Sequence, residues 1–171
     1  MPSDQDILRT INEAFSAERR PAHFTDYTHC CECAEHDALL RARERETLAL
    51  EDVGNAGWDP ICFVTSDGFR YYLPALVRLA LSPPEDRNAG PYLSQLLFHL
   101  IGDGENNRRV SCCAPAQRRA VVEFLRHVVS ARDCAAEGCK DDLQRAIEIW
   151  SADTALCAST KLAERSGEAA P

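Results

Sequence analysis

A mainly α, compact single-domain fold of about six helices is predicted by three observations. Apolar residues recur at three- and four-residue spacing through one stretch after another. Only one short run, Ile61–Thr65, is apolar and β-branched enough to read as a strand, and a lone strand cannot make a sheet. The chain has 171 residues, 45% hydrophobic and 27% charged, which suits one globular domain with a real core. That domain is expected over residues 1–152, followed by a poorly ordered tail over 153–171.

The elements follow in order. Ser3 with Asp6 makes a variant capping box, and Ile7, Leu8, Ile11, Ala14 and Phe15 line one face of a first helix running to about Arg19. Arg20-Pro21 ends it, and Ala22–Thr28 is a connector carrying His23, Phe24 and Tyr27. A second helix is expected from near Thr28 through Leu39, Leu40 and the charged run Arg41–Glu46. Asp52–Pro60 is a turn-rich loop anchored by Trp58. Ile61–Thr65 is a strand or a buried extended connector. Ser66-Asp67-Gly68 opens a helix with Phe69, Tyr72, Leu73, Leu76, Leu79 and Ala80, which Pro74 should kink or split. Ser82–Pro91 reads as a loop, Tyr92–Ile101 as a helix and Gly102–Ala114 as a polar loop. Pro115 begins a helix burying Ala120, Val121, Phe124, Leu125 and Val128. The last helix, near Lys140–Ser151, presents Leu143, Ile147 and Trp150.

Charge and cysteine content narrow the function. A formal net charge of -8 repels phosphate backbones and anionic headgroups, so nucleic acid and membrane surfaces are not expected partners. No apolar run approaches the roughly 20 residues that span a bilayer. The start, Met1-Pro2-Ser3-Asp4-Gln5-Asp6, lacks the basic and apolar stretches of a signal peptide. Nine cysteines, an odd number, then favour reduced thiols in a cytoplasm over a disulfide framework.

Chemistry concentrates in His29, Cys30, Cys31, Glu32, Cys33, Ala34, Glu35, His36 and Asp37. On a helix, His29, Cys33 and His36 fall at about 0°, 40° and -20°, one narrow face. Cys30, Cys33 and Asp37 form an overlapping trio. Thiolate and imidazole in that arrangement fit tetrahedral zinc. The candidate ligands are therefore Cys30, Cys33, His36, His29 and Asp37. A fourth position falls to His23, to the vicinal pair Cys112-Cys113, or to water, and Glu32 or Glu35 is placed to act as a base beside a metal-bound water.

Two other readings stand beside this one. Cys30, Cys33 and His36 also suit the inner face of an acidic helix as small buried groups. A helix N-terminus favours thiolate at Cys30, Cys31 and Cys33, which allows redox chemistry, although Glu32 and Glu35 oppose it and no thioredoxin-like pattern surrounds the motif. Elsewhere, Cys134 and Cys139 read as incidental. His99 and His127 read as core or edge histidines, Tyr71 and Tyr72 as packing groups, and Asp103–Asn107 as a solvated loop that fails the calcium pattern.

The run Phe63-Val64-Thr65-Ser66-Asp67-Gly68-Phe69-Arg70-Tyr71-Tyr72-Leu73-Pro74-Ala75 resembles the hallmark phrase of an uncharacterised bacterial domain family, F-[LIV]-T-x-[ED]-[AG]-F-R-Y-Y-L-P-A. Arg20–Thr25 through His36-Asp37 resembles a subgroup, and the likeness spans roughly residues 20 to 130. The resemblance implies a small helical bacterial protein and brings no activity. In the phrase, Phe69, Tyr72 and Leu73 are expected in the core and Arg70 against an acidic side chain. The expected function is transition-metal binding, with zinc as the cofactor. The rivals are an interaction or immunity-like module whose acidic face engages a basic protein partner, and a thiol redox protein.

Overall fold

The computed structural model describes residues 2–83, 92–131 and 138–152. Expectations for the loop over 84–91, for Cys134 and for the tail after residue 152 lie outside them. The described chain is mainly helical. Its α-helices are α1 (Asp4–Ala14), α2 (Cys31–Arg41), α3 (Leu50–Val53), α4 (Ser66–Leu81), α5 (Tyr92–Ile101), α6 (Arg108–Ser111), α7 (Pro115–Ala131) and α8 (Lys140–Ser151). Three 3-10 turns cover Ala56–Trp58, Pro60–Cys62 and Gly104–Asn106.

Five helices close a ring: α1 packs on α4, α4 on α5, α5 on α8, α8 on α7, and α7 back on α1. Twelve of the 16 residues of α4 are buried, so it is apolar nearly all round and forms the spine of the core. Phe69, Tyr72 and Leu73 lie inside, and Arg70 pairs with Glu18 at 3.0 Å and Asp67 at 2.6 Å, as the phrase implied. α4 runs unbroken through Pro74. The proline leaves the Arg70 carbonyl without its helical donor, and packing on both flanks holds the helix together regardless.

Distant side chains end two helices sooner than periodicity predicts. α1 stops at Ala14, because Arg45 donates to the carbonyls of Phe15 and Glu18 at 3.4 and 3.2 Å. α2 stops at Arg41, because the Tyr72 hydroxyl donates to the carbonyls of Leu40 and Arg43 at 2.6 and 2.9 Å. Arg20 takes the carbonyls of Arg41 and Arg43 as well. Carbonyls claimed this way have no need of a further helical turn.

The expected strand at Ile61–Thr65 is instead a 3-10 turn followed by a single bridge, Thr25 to Val64. Burial of Ile61 and Val64, rather than strand pairing, explains its apolar character. Asn107 and a 3-10 turn give the loop over 102–114 more structure than its composition promised, including α6. Trp58 is 43% exposed and covers His36 instead of anchoring its loop in the core.

The connector before α2 is held at both edges. The Asp37 carboxylate accepts from the amides of Phe24 and Thr25 at 2.6 and 3.2 Å, and from the His23 ring at 2.7 Å. On the other side the Thr65 amide donates to the Phe24 carbonyl at 2.7 Å. Gly68 permits that approach, because a Cβ there would come within 3.1 Å of the Phe24 oxygen.

Candidate metal centre

α2 begins three residues later than its periodicity suggested. The His29 amide donates to the Asp26 carbonyl at 3.0 Å, closing a turn, and Cys30 is extended at φ -160° and ψ 171°. Cys30 is itself the N-cap, its sulfur accepting from the Cys33 amide at 3.5 Å. His29 therefore lies outside the helix. Its ring folds back from the turn, placing Nδ1 3.8 Å from Cys33 Sγ.

One ligand atom each from His29, Cys30 and Cys33 lies within 4.8 Å of the others. Cys31 points to solvent. Among the described residues, His23, His36, Asp37, Cys112 and Cys113 do not join this group at that distance. His36 is 0% exposed and stacks on Phe63 at 4.8 Å and on Trp58 at 4.7 Å. Its Nε2 lies 3.7 Å from Glu32. Asp37, 2% exposed, spends its oxygens on the connector, and His23 is committed to Asp37 while stacked on Tyr27 at 3.8 Å. His29 thus meets Cys33 from the turn before α2 rather than from the helix face, while His36 turns to Phe63 and Trp58 instead of to these ligands.

The thiols are unlike. The Cys33 amide, then the His29 ring, holds the Cys30 thiol below its ordinary value, as a helix N-terminus should. Cys33 is pushed up by its bond with Cys30 and by burial. Its contact with Cys30 raises His29. The site is an exposed thiol held toward its thiolate form and an exposed imidazole, with a buried thiol behind them. Such a set offers a borderline cation three ligand atoms, two sulfurs and one ring nitrogen.

Cys112 and Cys113 lie elsewhere, at the end of α6. The Cys112 thiol is pulled down to about 6 by a hydrogen bond with Cys113, against burial, and by Arg70 and Ser66 at the start of α4. Its carbonyl accepts from Arg70 at 3.1 Å. Cys113 is pushed up by the same bond and by burial. Cys139, buried, contacts the Ser94 hydroxyl at 3.1 Å. His127 is a core-edge histidine bonded to Asp4 at 2.7 Å.

Sequence reasoning missed a second convergence of Asp59, Cys62 and His99, whose ligand atoms also lie within 4.8 Å of one another. The signal was present as Asp-x-x-Cys, the same spacing as the Cys-x-x-Cys motif, but it straddled the expected loop Asp52–Pro60 and the expected strand Ile61–Thr65.

Buried carboxylates make the fold sensitive to acid. Burial pushes Asp37 up, yet the bonds from His23 and from the Phe24 and Thr25 amides outweigh it, leaving the group below its ordinary 3.8. Against the same effect of burial, Arg43 and the Ala49 amide lower Asp52, and His99 with Gln95 lowers Asp59. Folded values below unfolded ones mean stability that is complete above about pH 4 and drains away as pH falls through the folded values. Urea midpoints are expected to drop progressively below about pH 4; a midpoint unchanged down to about pH 2 would contradict the assignment.

Among the described residues no helix is long and apolar enough to cross a membrane. A family model described as a family of unknown function (DUF6714) matches residues 3–154. No curated protein and no solved structure gives a match.

Proposed function

The chain belongs to the DUF6714 family of unknown function, and for it we propose transition-metal binding, zinc by preference, through His29, Cys30 and Cys33. The observation that carries this reading is the convergence of two sulfurs and one imidazole within 4.8 Å at the start of one helix. Cobalt, copper and iron accept such ligands too, but zinc suits a compact sulfur and nitrogen set with no imposed geometry. Asp37 acts here as an outer support, since it holds the connector from which His29 approaches. Water completes an open site in this reading.

Reduced wild-type protein, supplied with zinc and dialysed, is expected to lose about one equivalent of metal on Cys30→Ser substitution. Cys30 is exposed, so the variant should keep its far-ultraviolet circular dichroism. Cys33→Ser is expected to give the same loss. Equal zinc in wild type and in folded Cys30→Ser protein would overturn the proposal.

A thiol redox reading is favoured by one observation, the contrast between exposed Cys30, held toward thiolate, and buried Cys33. In that reading Cys30 attacks a substrate disulfide and Cys33 resolves the mixed disulfide, releasing the substrate dithiol. Alkylation separates the two. A metal centre predicts that zinc suppresses alkylation of Cys30, whereas a redox centre predicts fast alkylation with or without zinc and a Cys30–Cys33 disulfide after turnover.

A further inference from the structure

Asp59 caps the 3-10 turn Pro60–Cys62, accepting from the Ile61 amide at 2.8 Å through Oδ1. Its other oxygen accepts from Gln95 Nε2 at 2.6 Å and contacts His99 Nε2 at 2.7 Å. Gln95 and His99 are one turn apart on α5, so this helix presents both toward the turn. Arg109 ties the platform together, donating to the carbonyls of Ile61 at 2.8 Å and His99 at 3.0 Å while lying over Phe69 at 5.1 Å. Gln95 also donates to the Val53 carbonyl at 2.6 Å.

Two buried polar atoms at this junction have no partner among the described residues. They are Nδ1 of His99, which is 0% exposed, and the hydroxyl of Tyr92, which is 6% exposed. Tyr92 lies two turns before His99 on the same face of α5. Buried groups of this kind normally have a partner, and beside them one ligand atom each from Asp59, Cys62 and His99 lies within 4.8 Å of the others. Cys62, the third member, faces solvent and opens the cluster to it.

We propose that Asp59, Cys62 and His99 form a second, open site for a late first-row dication such as zinc or cobalt. The donor set of one carboxylate, one thiolate and one imidazole is that of a borderline metal rather than of calcium or magnesium. Gln95 and the Ile61 amide orient Asp59 from outside, as metal-ligating carboxylates require. Arg109 spends its donors on the carbonyls of His99 and Ile61 and so fixes the turn against α5. Cys62 turns inward on binding and loses its thiol proton to solvent. The site is independent of the His29 centre and is read separately.

The test is a cobalt(II) titration of the reduced Cys30→Ser/Cys33→Ser protein, in which the first centre is gone. About one equivalent is expected to bind with a thiolate-to-cobalt charge-transfer band. Adding Cys62→Ser, an exposed change, should abolish the band with the circular dichroism unchanged. Adding Gln95→Leu should weaken binding about 10- to 100-fold while keeping the band at saturation. No cobalt bound by the Cys30→Ser/Cys33→Ser protein, or a band that survives Cys62→Ser, would overturn the proposal. Failure of the first centre reads out elsewhere, in single Cys30→Ser protein whose zinc content equals that of wild type.

Discussion

Asp37→Ala is expected to destabilise the protein by about 2–4 kcal/mol, because two buried backbone amides lose their acceptor. These are the amides of Phe24 and Thr25, both inside the core or against it. The substitution also releases His23. The connector they belong to delivers His29 to Cys33, and the Thr25 hydroxyl donates to the Cys33 carbonyl at 2.7 Å. Metal affinity at the His29 centre should therefore weaken about 10- to 100-fold, the usual effect of removing an outer support. Asp37→Asn keeps an oxygen for both amides and should recover most of the stability. Urea midpoints with a competing chelator measure both effects. An alanine variant with wild-type stability would show that the connector is held by Thr65 and packing alone.

Trp150→Ala is expected to cost about 3–5 kcal/mol, the range for removing a large aromatic group from a core. Trp150 is among the largest fully buried side chains, and it belongs to α8, which closes the ring between α5 and α7. Its Nε1 donates to the Leu100 carbonyl at 2.9 Å. Trp150→Phe keeps most of the volume and loses that bond, and Asn107 still donates to the same carbonyl at 2.9 Å. The phenylalanine variant should thus cost only about 1–2 kcal/mol. Thermal or urea unfolding compares them. Equal losses for the two variants would mean that the hydrogen bond, and not the filled volume, holds α8 in place.

Much of the helical framework was legible in the chain. Ser3 and Asp6 form the capping box that their spacing announced, with Asp6 accepting from the Ser3 amide at 3.0 Å. The α8 bounds and the α7 start at Pro115 match the apolar periodicity, because those helices bury one stripe against neighbours and expose the rest. Boundaries failed where a remote side chain intervened. Nothing near Ala14 or Arg41 in sequence signals that Arg45, Arg20 and Tyr72 will claim the adjacent carbonyls.

The candidate sites divide in the same way. Cys30 and Cys33 stand out by type and spacing, and the N-cap role of Cys30 follows from local geometry. His36 and Asp37 carry equally suitable chemistry, yet one stacks between Phe63 and Trp58 and the other clamps a backbone. Asp59 and Cys62 meet His99 although Asp59 and His99 stand 40 positions apart in the chain, a meeting that no local pattern reveals.

The chain by itself determined the helical class, the capped start of α1, the apolar stripes and a thiol-rich helix entry, since each depends on residues within a few positions of one another. Tertiary structure decided which donors meet and which are diverted. Those outcomes turn on competition for a finite set of buried hydrogen-bond partners, and residues far apart in sequence enter that competition only after the ring of helices has closed.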